Sequence, residues 1–242
     1  MKKEIIRVSE IFGPTIQGEG ALIGMPTVFV RTGGCDYRCS WCDSLHAVDS
    51  IYRNEWLAME AADILDEIIK LSNNKALLVS LSGGNPAIQP FEKLISMGKK
   101  LGYSFAMETQ GSIAQNWFSL LDYLILSPKP PSSNMAFNLN YLTKSIKSVN
   151  NNTKVILKFV VFNETDYKFA KEIANIFPFL PIYLQPGNHT PPQNNQEDAD
   201  IDLDGILDRT RWLIEHTILD KWYNVKILPQ LHTLIWGNKR GV

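Results

Sequence analysis

The only three cysteines of the 242-residue chain, Cys35, Cys39 and Cys42, lie within eight positions in the spacing C-x3-C-x2-C. Intervals this short let one turning loop direct three thiolates at a common point. Soft anionic sulfurs grouped in this way indicate a metal or iron–sulfur site. A cluster that only transfers electrons usually has four protein ligands. Three cysteines therefore predict a 4Fe-4S cluster with one iron open to a substrate or cofactor, because catalytic metal sites keep an open position.

Two other uses of these cysteines stay open from the residues alone. A disulfide with one odd thiol would suit a secreted protein, but Met1–Glu4 does not begin a signal peptide and the cysteines are too few for a disulfide scaffold. A structural zinc site of Cys35, Cys39, Cys42 and His46 also satisfies the spacing. A chain of this length buries a core without a metal, which disfavours zinc.

The composition is that of an ordinary globular protein, with 45% apolar and 20% charged residues. The net charge of −1 leaves no basic surplus, so we expect no nucleic-acid partner. No apolar run approaches the ~20 residues that span a bilayer, so we expect no membrane segment. Because free thiols persist in a reducing compartment, we expect a cytoplasmic protein.

The strands and helices that must position the cysteines follow from hydrophobic patterning. Apolar, β-branched and aromatic runs predict six strands, Thr27–Arg31, Ala76–Leu81, Tyr103–Glu108, Asp122–Leu126, Lys154–Phe162 and Ile182–Gln185. Apolar residues spaced with a period near 3.6, or a location between two predicted strands, predict helices at Ala58–Leu71, Ile88–Lys100, Glu164–Phe177 and Leu203–Leu219. This alternation predicts an α/β fold with a mostly parallel sheet. Six units are fewer than the eight of a closed barrel, so the expected shape is a partial (β/α)6 barrel.

Four further segments have predicted roles. The Gly-rich stretch Ile11–Gly20 is expected to form a loop before the first strand. The stretch Pro186–Asp200 is polar and rich in Pro and Asn, which is typical of a mobile lid or crossover. Val225–Leu228 is expected to add an edge strand. The tail Leu228–Gly237 is unusually apolar, so we expect it to pack over the site or a partner subunit.

The cysteine spacing resembles that of the radical S-adenosylmethionine (SAM) enzymes. Trp41, immediately before the last cysteine, is aromatic as that family prefers. The resemblance implies one radical-SAM-type partial barrel over residues 1–242, with an N-terminal substrate loop and a packed C-terminal tail. It also implies a 4Fe-4S cluster whose open iron binds SAM.

Other motifs resemble the 7-carboxy-7-deazaguanine synthase family of queuosine and 7-deazapurine biosynthesis. They are Ile16–Gly20, Phe29–Arg31 before the cysteine loop, Trp41–Ser44, Glu108–Gly111, Ser127–Lys129 and the tail Pro229–Gly237. The resemblance implies that 6-carboxy-5,6,7,8-tetrahydropterin is rearranged to 7-carboxy-7-deazaguanine with loss of ammonia. SAM is then a reusable cofactor, and the cofactor supplies the difficult chemistry. A flavodoxin- or ferredoxin-type reductase and a homodimer are also implied.

The same resemblance implies the site residues. Cys35, Cys39 and Cys42 would hold the cluster. The residues implied in SAM and cluster binding are Trp41, Cys42, Asp43, Gly84, Glu108, Ser127, Lys129 and Gln185. Those implied in pterin binding are Ile16, Gln17, Gly18, Arg31 and Ser82. Ser44 would bind Mg2+, although a serine here also suits a helix N-cap.

One position departs from the family pattern, because Asn85 replaces the acid of the usual Gly-Gly-Glu-Pro element. Two other functions also stay open. One is a different radical SAM enzyme, such as a glycyl-radical activase, which would act on a protein and need no pterin pocket. The other is a non-catalytic binding protein stabilised by zinc. The residues assign no definite role to His46 or His232.

Overall fold

The computed structural model describes residues 4–189 and 201–242, which form a single mixed β-sheet flanked by helices. The strands in chain order are β1 Ile5–Ile16, β2 Pro26–Thr32, β3 Leu57–Glu60, β4 Leu78–Gly83, β5 Ser104–Thr109, β6 Tyr123–Leu126, β7 Lys154–Val161, β8 Ile182–Pro186 and β9 Val225–Ile227. The helices are α1 Leu45–Val48, α2 Ala61–Leu71, α3 Glu92–Lys100, α4 Leu139–Lys147, α5 Glu164–Ile176, α6 Leu203–Leu219 and α7 Leu231–Trp236.

The sheet has the strand order β3-β1-β2-β4-β5-β6-β7-β8-β9. Strand β1 runs antiparallel to both β2 and β3, whereas every pair from β2 to β9 is parallel. The six predicted strands correspond to β2 and β4–β8, which lie side by side in chain order. The prediction of an α/β fold with a mostly parallel, partial barrel is therefore confirmed. In the described part of the chain the sheet ends at β3 and β9 without closing.

The two faces of the sheet have different partners. On the helix side, buried residues such as Val79, Leu81 and Phe105 join the main core that α2, α3 and α5 complete. On the concave side a smaller apolar cluster contains Leu22, Leu78, Ala106, Ile125, Ile156 and Tyr183. Because residues two positions apart on a strand face the same side of the sheet, the polar residues two positions beyond these apolar ones also face the concave side. The concave side is therefore where the polar residues of the parallel strands meet.

The prediction of a loop over Ile11–Gly20 was wrong for its first six residues, which belong to the long strand β1. Gly13 and Pro14 lie where the pairing register with β2 shifts between Phe12 and Thr15. An irregularity of this kind accommodates turn residues inside a strand. Only the part from Gln17 onward is a loop before β2.

The helix predicted over Ala58–Leu71 begins at Ala61, because Leu57–Glu60 pairs with β1 as strand β3. A capping box between Glu60 and Asp63 sets the boundary. Helix α3 likewise begins at Glu92 instead of Ile88. Helices α5 and α6 agree with the prediction to within one residue, whereas α1, α4 and α7 were not predicted.

The C-terminal tail folds back towards the N-terminal loop. Strand β9 pairs with β8, and α7 follows it. The Leu231 amide donates a 2.8 Å hydrogen bond to the Gly18 carbonyl. Residues 190–200 of the predicted lid lie outside the described part of the chain. Among the helices that the structure describes, none is both long and apolar enough to cross a membrane.

Candidate active site

A cavity of about 290 Å3 opens at the carboxyl ends of the parallel strands. Parallel pairing brings these ends to one edge of the sheet, where α/β enzymes place their sites. The predicted site residues that line the cavity are Ile16, Gln17, Gly18, Arg31, Cys35, Cys39, Trp41, Cys42, Asp43, Ser44, Ser82, Gly84, Glu108, Lys129 and Gln185. Ser127 does not line it. This serine is buried behind Lys129, whose Nζ lies 3.4 Å from its Oγ.

The three cysteines are free thiols on the cavity wall. Burial raises the pKa of each thiol, and for Cys42 burial and the Asp43 carboxylate raise the pKa to about 12. A buried thiol loses its proton when a bound cation compensates for the cost of burying the negative charge. Cys35 Sγ already accepts hydrogen bonds from the Tyr37 amide at 3.4 Å and from Gln110 Nε2 at 3.7 Å. The donor set therefore fits an iron–sulfur cluster.

The alternative zinc site is not formed. Within residues 4–189 and 201–242, no three Cys, His, Asp or Glu side chains converge closely enough to hold one metal ion. His46 is engaged elsewhere, with its Nε2 at 3.3 Å from Glu10 Oε1. A single zinc ion needs its ligands at one tetrahedral point, whereas a cluster takes each thiolate on a different iron.

Beside the cysteine loop the cavity wall is bare backbone. A β-carbon on Gly84 would lie 2.1 Å from the Gly34 carbonyl oxygen, so only glycine fits between these two segments. Within the described part of the chain, Ser82 Oγ and Gln185 Oε1 are buried on the wall without a hydrogen-bond partner. Because buried polar atoms are normally paired, these two atoms are suited to a ligand.

Lys129 and Trp41 form the next part of the wall. Lys129 Nζ lies 5.6 Å from the centroid of the Trp41 ring, a distance at which a cation interacts with the ring face. The indole Nε1 donates a 3.0 Å hydrogen bond to Ser132 Oγ, and the ring packs 5.0 Å from Phe162. Lys129 is thus half-buried with its charge towards the cavity, and it is not a solvated surface lysine.

The carboxylate-binding candidate Arg31 is linked to the metal candidate Ser44. Arg31 Nη1 donates a 3.1 Å hydrogen bond to Ser44 Oγ, and its Nε lies 2.6 Å from Glu10 Oε1 as an ion pair. Ser44 occupies the N-cap position of α1, but its side chain caps no backbone amide. Its hydroxyl contacts Asp43 Oδ1 at 2.9 Å instead, so this oxygen remains at the cavity wall.

The loop after β1 is held from two sides. Gln17 Nε2 donates a 3.2 Å hydrogen bond to Ser80 Oγ on β4. A β-carbon on Gly18 would lie 2.2 Å from His232 Nδ1, so the tail packs directly on this glycine. His232 also lines the cavity. The loop and the tail together form the wall opposite the cysteines.

Comparison with known proteins decides the family. The model of the radical SAM superfamily matches residues 29–174, which is more than half of the chain. A 7-carboxy-7-deazaguanine synthase from Bacillus subtilis is 43% identical over 98% of both chains, and one from Bacillus cereus is 42% identical over 98% of this chain and 99% of its own. The chain belongs to the 7-carboxy-7-deazaguanine synthase family. The structure of QueE from Escherichia coli shares the fold, with a TM-score of 0.68, 24% identity, and coverage of 94% of this chain and 95% of that one.

Membership of this radical SAM family confirms the predicted resemblance. The chain is a radical SAM enzyme, and the family implies SAM and a 4Fe-4S cluster as its cofactors. The non-catalytic zinc-binding alternative is therefore set aside. The individual roles of the site residues stay predictions that the cavity is compatible with.

The position that departs from the family pattern has a full set of partners. Asn85 is completely buried, and its Nδ2 donates to Asp36 Oδ1 at 2.7 Å and to Ser112 Oγ at 3.2 Å. Its Oδ1 accepts from the Ala87 amide at 3.1 Å and from Thr109 Oγ1 at 2.7 Å. The side chain thus ties the cysteine loop to the ends of β4 and β5.

Sequence reasoning missed several polar and charged residues in and around this site. Glu10 and Lys158 lie on strands, Glu19 lies in the loop after β1, and Gln230 and Arg240 lie in the tail. A charged residue within an apolar strand is a usable signal, and Lys158 in Val155–Val161 meets it. Glu10 gave no such signal, because its partners Arg31, His46 and Arg240 are distant in sequence.

We expect Cys39→Ala to abolish cluster binding, because two thiolates leave a second iron without its protein ligand. Iron content and visible absorption after anaerobic reconstitution measure this directly. The control is Ser40→Ala, an exposed neighbour in the same loop, which should retain full iron content. A Cys39→Ala protein that holds as much iron as the control would contradict the assignment.

Glu10 should contribute stability that depends on pH. Burial opposes ionisation, but the hydrogen bond from His46 and the charges of Arg31, His46 and Arg240 lower the pKa of this carboxyl to about 2. Because this folded-state pKa lies below the ordinary 4.5, the stabilisation is complete above about pH 4.5 and is lost as the pH falls towards 2.

We expect Glu10→Gln to lower the free energy of unfolding by roughly 1–3 kcal/mol at neutral pH and by less at about pH 3. Denaturant unfolding at the two pH values measures the difference. Glu67→Gln removes an exposed ion pair with Lys70 at 3.6 Å and should change stability by less than about 0.5 kcal/mol at both. Equal losses for Glu10→Gln at both pH values would contradict the ionised pairing.

Proposed function

We propose that this protein converts 6-carboxy-5,6,7,8-tetrahydropterin to 7-carboxy-7-deazaguanine with loss of ammonia, in queuosine and 7-deazapurine biosynthesis. The names of its relatives at 43% and 42% identity support the reaction. The observation that carries it is one cavity that joins the three cysteines to the Arg31–Ser44 pair and to Gln17. A cluster, a carboxylate anchor and an amide for a pterin edge are what this reaction requires in one place.

The cysteines and the parallel strand ends would hold the cofactors. When bound, the cluster and SAM supply the electron and the radical that start the rearrangement. Cys35, Cys39 and Cys42 would bind three irons as thiolates. Lys129 supplies a positive charge for the SAM carboxylate, and Ser127 fixes that ammonium from behind. The unpartnered Gln185 Oε1 provides an acceptor, which suits an amino or hydroxyl group of SAM.

The substrate would lie between Arg31 and Gln17. A guanidinium binds a carboxylate in a planar, two-bonded geometry, which suits the 6-carboxyl group. Gln17 offers one donor and one acceptor, which match the aminopyrimidinone edge of a pterin. Its Nε2 bond to Ser80 and the packing of His232 on Gly18 hold this loop in place. Gly18 is proposed to contact the pterin through its backbone alone, because His232 occupies the position where a β-carbon would lie.

We also propose that Ser44 Oγ would contribute an oxygen to a Mg2+ site beside the substrate carboxylate. Mg2+ takes few protein ligands and keeps positions for substrate oxygens and water. The Ser44 hydroxyl lies at the cavity wall between Arg31 and Asp43. The cation would add to the positive charge of Arg31 at the place where the carboxylate binds.

The proposed reaction also bears on the electron donor, the cellular compartment and the oligomeric state. Reduction of the cluster requires a low-potential donor, for which a flavodoxin- or ferredoxin-type protein is suitable. Free thiols on the cavity wall favour a reducing cytoplasm. We further propose a homodimer and a single catalytic unit over residues 1–242, with the tail as part of its site wall.

Anaerobic turnover tests the function. Reconstituted protein, reductant, SAM, Mg2+ and 6-carboxytetrahydropterin are mixed, and 7-carboxy-7-deazaguanine is sought by mass spectrometry. Product in molar excess over SAM consumed is the expected result. Cleavage of SAM without product would retain the radical chemistry and reject this substrate.

The metal proposal has its own variant pair. We expect Ser44→Ala to raise the Mg2+ concentration needed for half-maximal turnover by roughly tenfold, because one ligand oxygen is lost. Ser44→Thr keeps the hydroxyl and should respond to Mg2+ like the unchanged protein. An identical Mg2+ titration for Ser44→Ala and Ser44→Thr would remove Ser44 from the metal site.

A further inference from the structure

Lys158 is a buried cation inside the cavity that no predicted role accounts for. It lies on β7, its side chain is 2% exposed, and it lines the cavity. Its stem passes Gly20, where a β-carbon would lie 3.4 Å from Lys158 Cδ. A lone ammonium is costly to bury, so its partners define what the residue does.

Two carboxylates from different elements share this ammonium. Lys158 Nζ contacts Glu19 Oε2 in the loop after β1, and it lies 2.6 Å from Glu108 Oε1 at the end of β5. Gln230 Nε2 donates a 2.7 Å hydrogen bond to the other Glu19 oxygen. One cation therefore joins the loop that carries Gln17 to the strand end that carries Glu108.

The electrostatics agree with this geometry. Burial opposes ionisation of Glu19, but the charges of Lys158 and His232 and the hydrogen bonds from Gln230 and Lys158 lower its pKa to about 2. Burial likewise opposes the charge of Lys158, and Glu108 and Glu19 outweigh it and raise the pKa of the ammonium. Both carboxylates also remain open to the cavity, with side chains 17% and 29% exposed.

We propose that Lys158 is a positioning residue that fixes the Glu19 and Glu108 carboxylates as hydrogen-bond acceptors on the two sides of the cavity. Glu19 adjoins the proposed pterin loop, and Glu108 adjoins the proposed SAM side, so this inference rests on the proposed function. A carboxylate held by a fixed cation keeps its free lone pairs in one direction, which lowers the cost of ordering it when a ligand binds.

The first experiment needs no cluster and no ligand. Lys158→Met keeps the volume of the stem and removes the charge, so it leaves Glu19 buried without its main cation. The titratable groups that face Glu19 are then His232 of α7 and, around the vacated ammonium position, Glu108 of β5. A buried carboxylate beside a like charge has a raised pKa.

The pH dependence of folding stability should therefore differ between the unchanged protein and Lys158→Met. In the unchanged protein the Glu19 stabilisation is complete above about pH 4.5, so its contribution is constant from about pH 5 to 8. In Lys158→Met a raised folded-state pKa means stability that is present at low pH and lost as the pH rises. We expect its melting temperature to fall from about pH 5 to 8 relative to that of Lys154→Met, an exposed lysine on the same strand.

The second experiment separates positioning from a merely structural role. Dissociation constants for SAM and for 6-carboxytetrahydropterin are measured separately with reconstituted, folded protein. Lys158→Met should weaken both by roughly tenfold or more, because both acceptors lose their orientation. Glu19→Gln should weaken the pterin alone and Glu108→Gln should weaken SAM alone, and Lys154→Met should change neither.

The outcomes are distinct. If Lys158→Met matches Lys154→Met in both affinities, the positioning role is overturned even if its melting temperature falls as the pH rises. If the melting temperature of Lys158→Met does not fall from about pH 5 to 8 relative to that of Lys154→Met, the charge sharing is overturned. If the unchanged protein does not bind the pterin, the proposed function fails, and the pH slope and SAM affinity still decide the role of Lys158.

If Lys158→Met does not fold, a second variant still tests the proposal. Lys158→Met combined with Glu19→Gln neutralises the less exposed of the two carboxylates that lose their cation, and this protein should fold. It should still bind SAM roughly tenfold more weakly than Glu19→Gln alone, because Glu108 has lost its cation. Equal SAM affinity in these two proteins would overturn the proposal.

Discussion

Parallel pairing is the constraint on which the site depends. Seven neighbouring strands, β2 and β4–β9, run in the same direction, so their carboxyl ends lie along one edge of the sheet. The register places Arg31 beside Ser82 and Val160 beside Gln185. Because side chains alternate along each strand, the apolar residues facing the helices form the core while Ser82, Glu108 and Gln185 line the cavity.

Charges in this cavity are held in balanced groups. Glu10 is shared by Arg31, His46 and Arg240, and Lys158 is shared by two carboxylates. Low dielectric strengthens each attraction and also makes an unpaired charge costly, so the groups are stable only together. Each group joins distant segments, since one connects β1 to the C-terminal tail and the other connects the loop after β1 to β5. Apart from the Glu10–Arg31 pair, whose strands are hydrogen-bonded neighbours, these ion pairs connect elements that are not adjacent in the sheet.

The cysteine loop has no regular structure over most of its length, and the sheet holds it through side chains. Asp36 Oδ1 accepts 2.7 Å hydrogen bonds from both Asn85 and Gln110, which lie in the segments after β4 and β5. Ser40 and Trp41 are bonded to the segment after β6. Three neighbouring strand ends therefore fix the loop, which orients its thiols before any cluster binds. Asn85 takes part through a neutral amide, which donates to Asp36 at a position where a carboxylate would repel it.

Local pattern in the sequence determined the six parallel strands, the helices α5 and α6, and the cysteine motif with its chemistry, because each depends on residues close together in the chain. The same locality explains the errors at Ile11–Ile16 and Ala58–Glu60, where turn residues and a helical period concealed two strand segments. The first pairs with β2 and the second pairs with β1, so both depend on partners elsewhere in the chain. Resemblance to a family supplied the candidate site residues. All of them line the cavity except Ser127, which lies behind its wall. Only the tertiary structure revealed how Glu10, Glu19 and Lys158 are paired, because charges as far apart in the sequence as Glu10 and Arg240 meet only when the strands and the tail fold together.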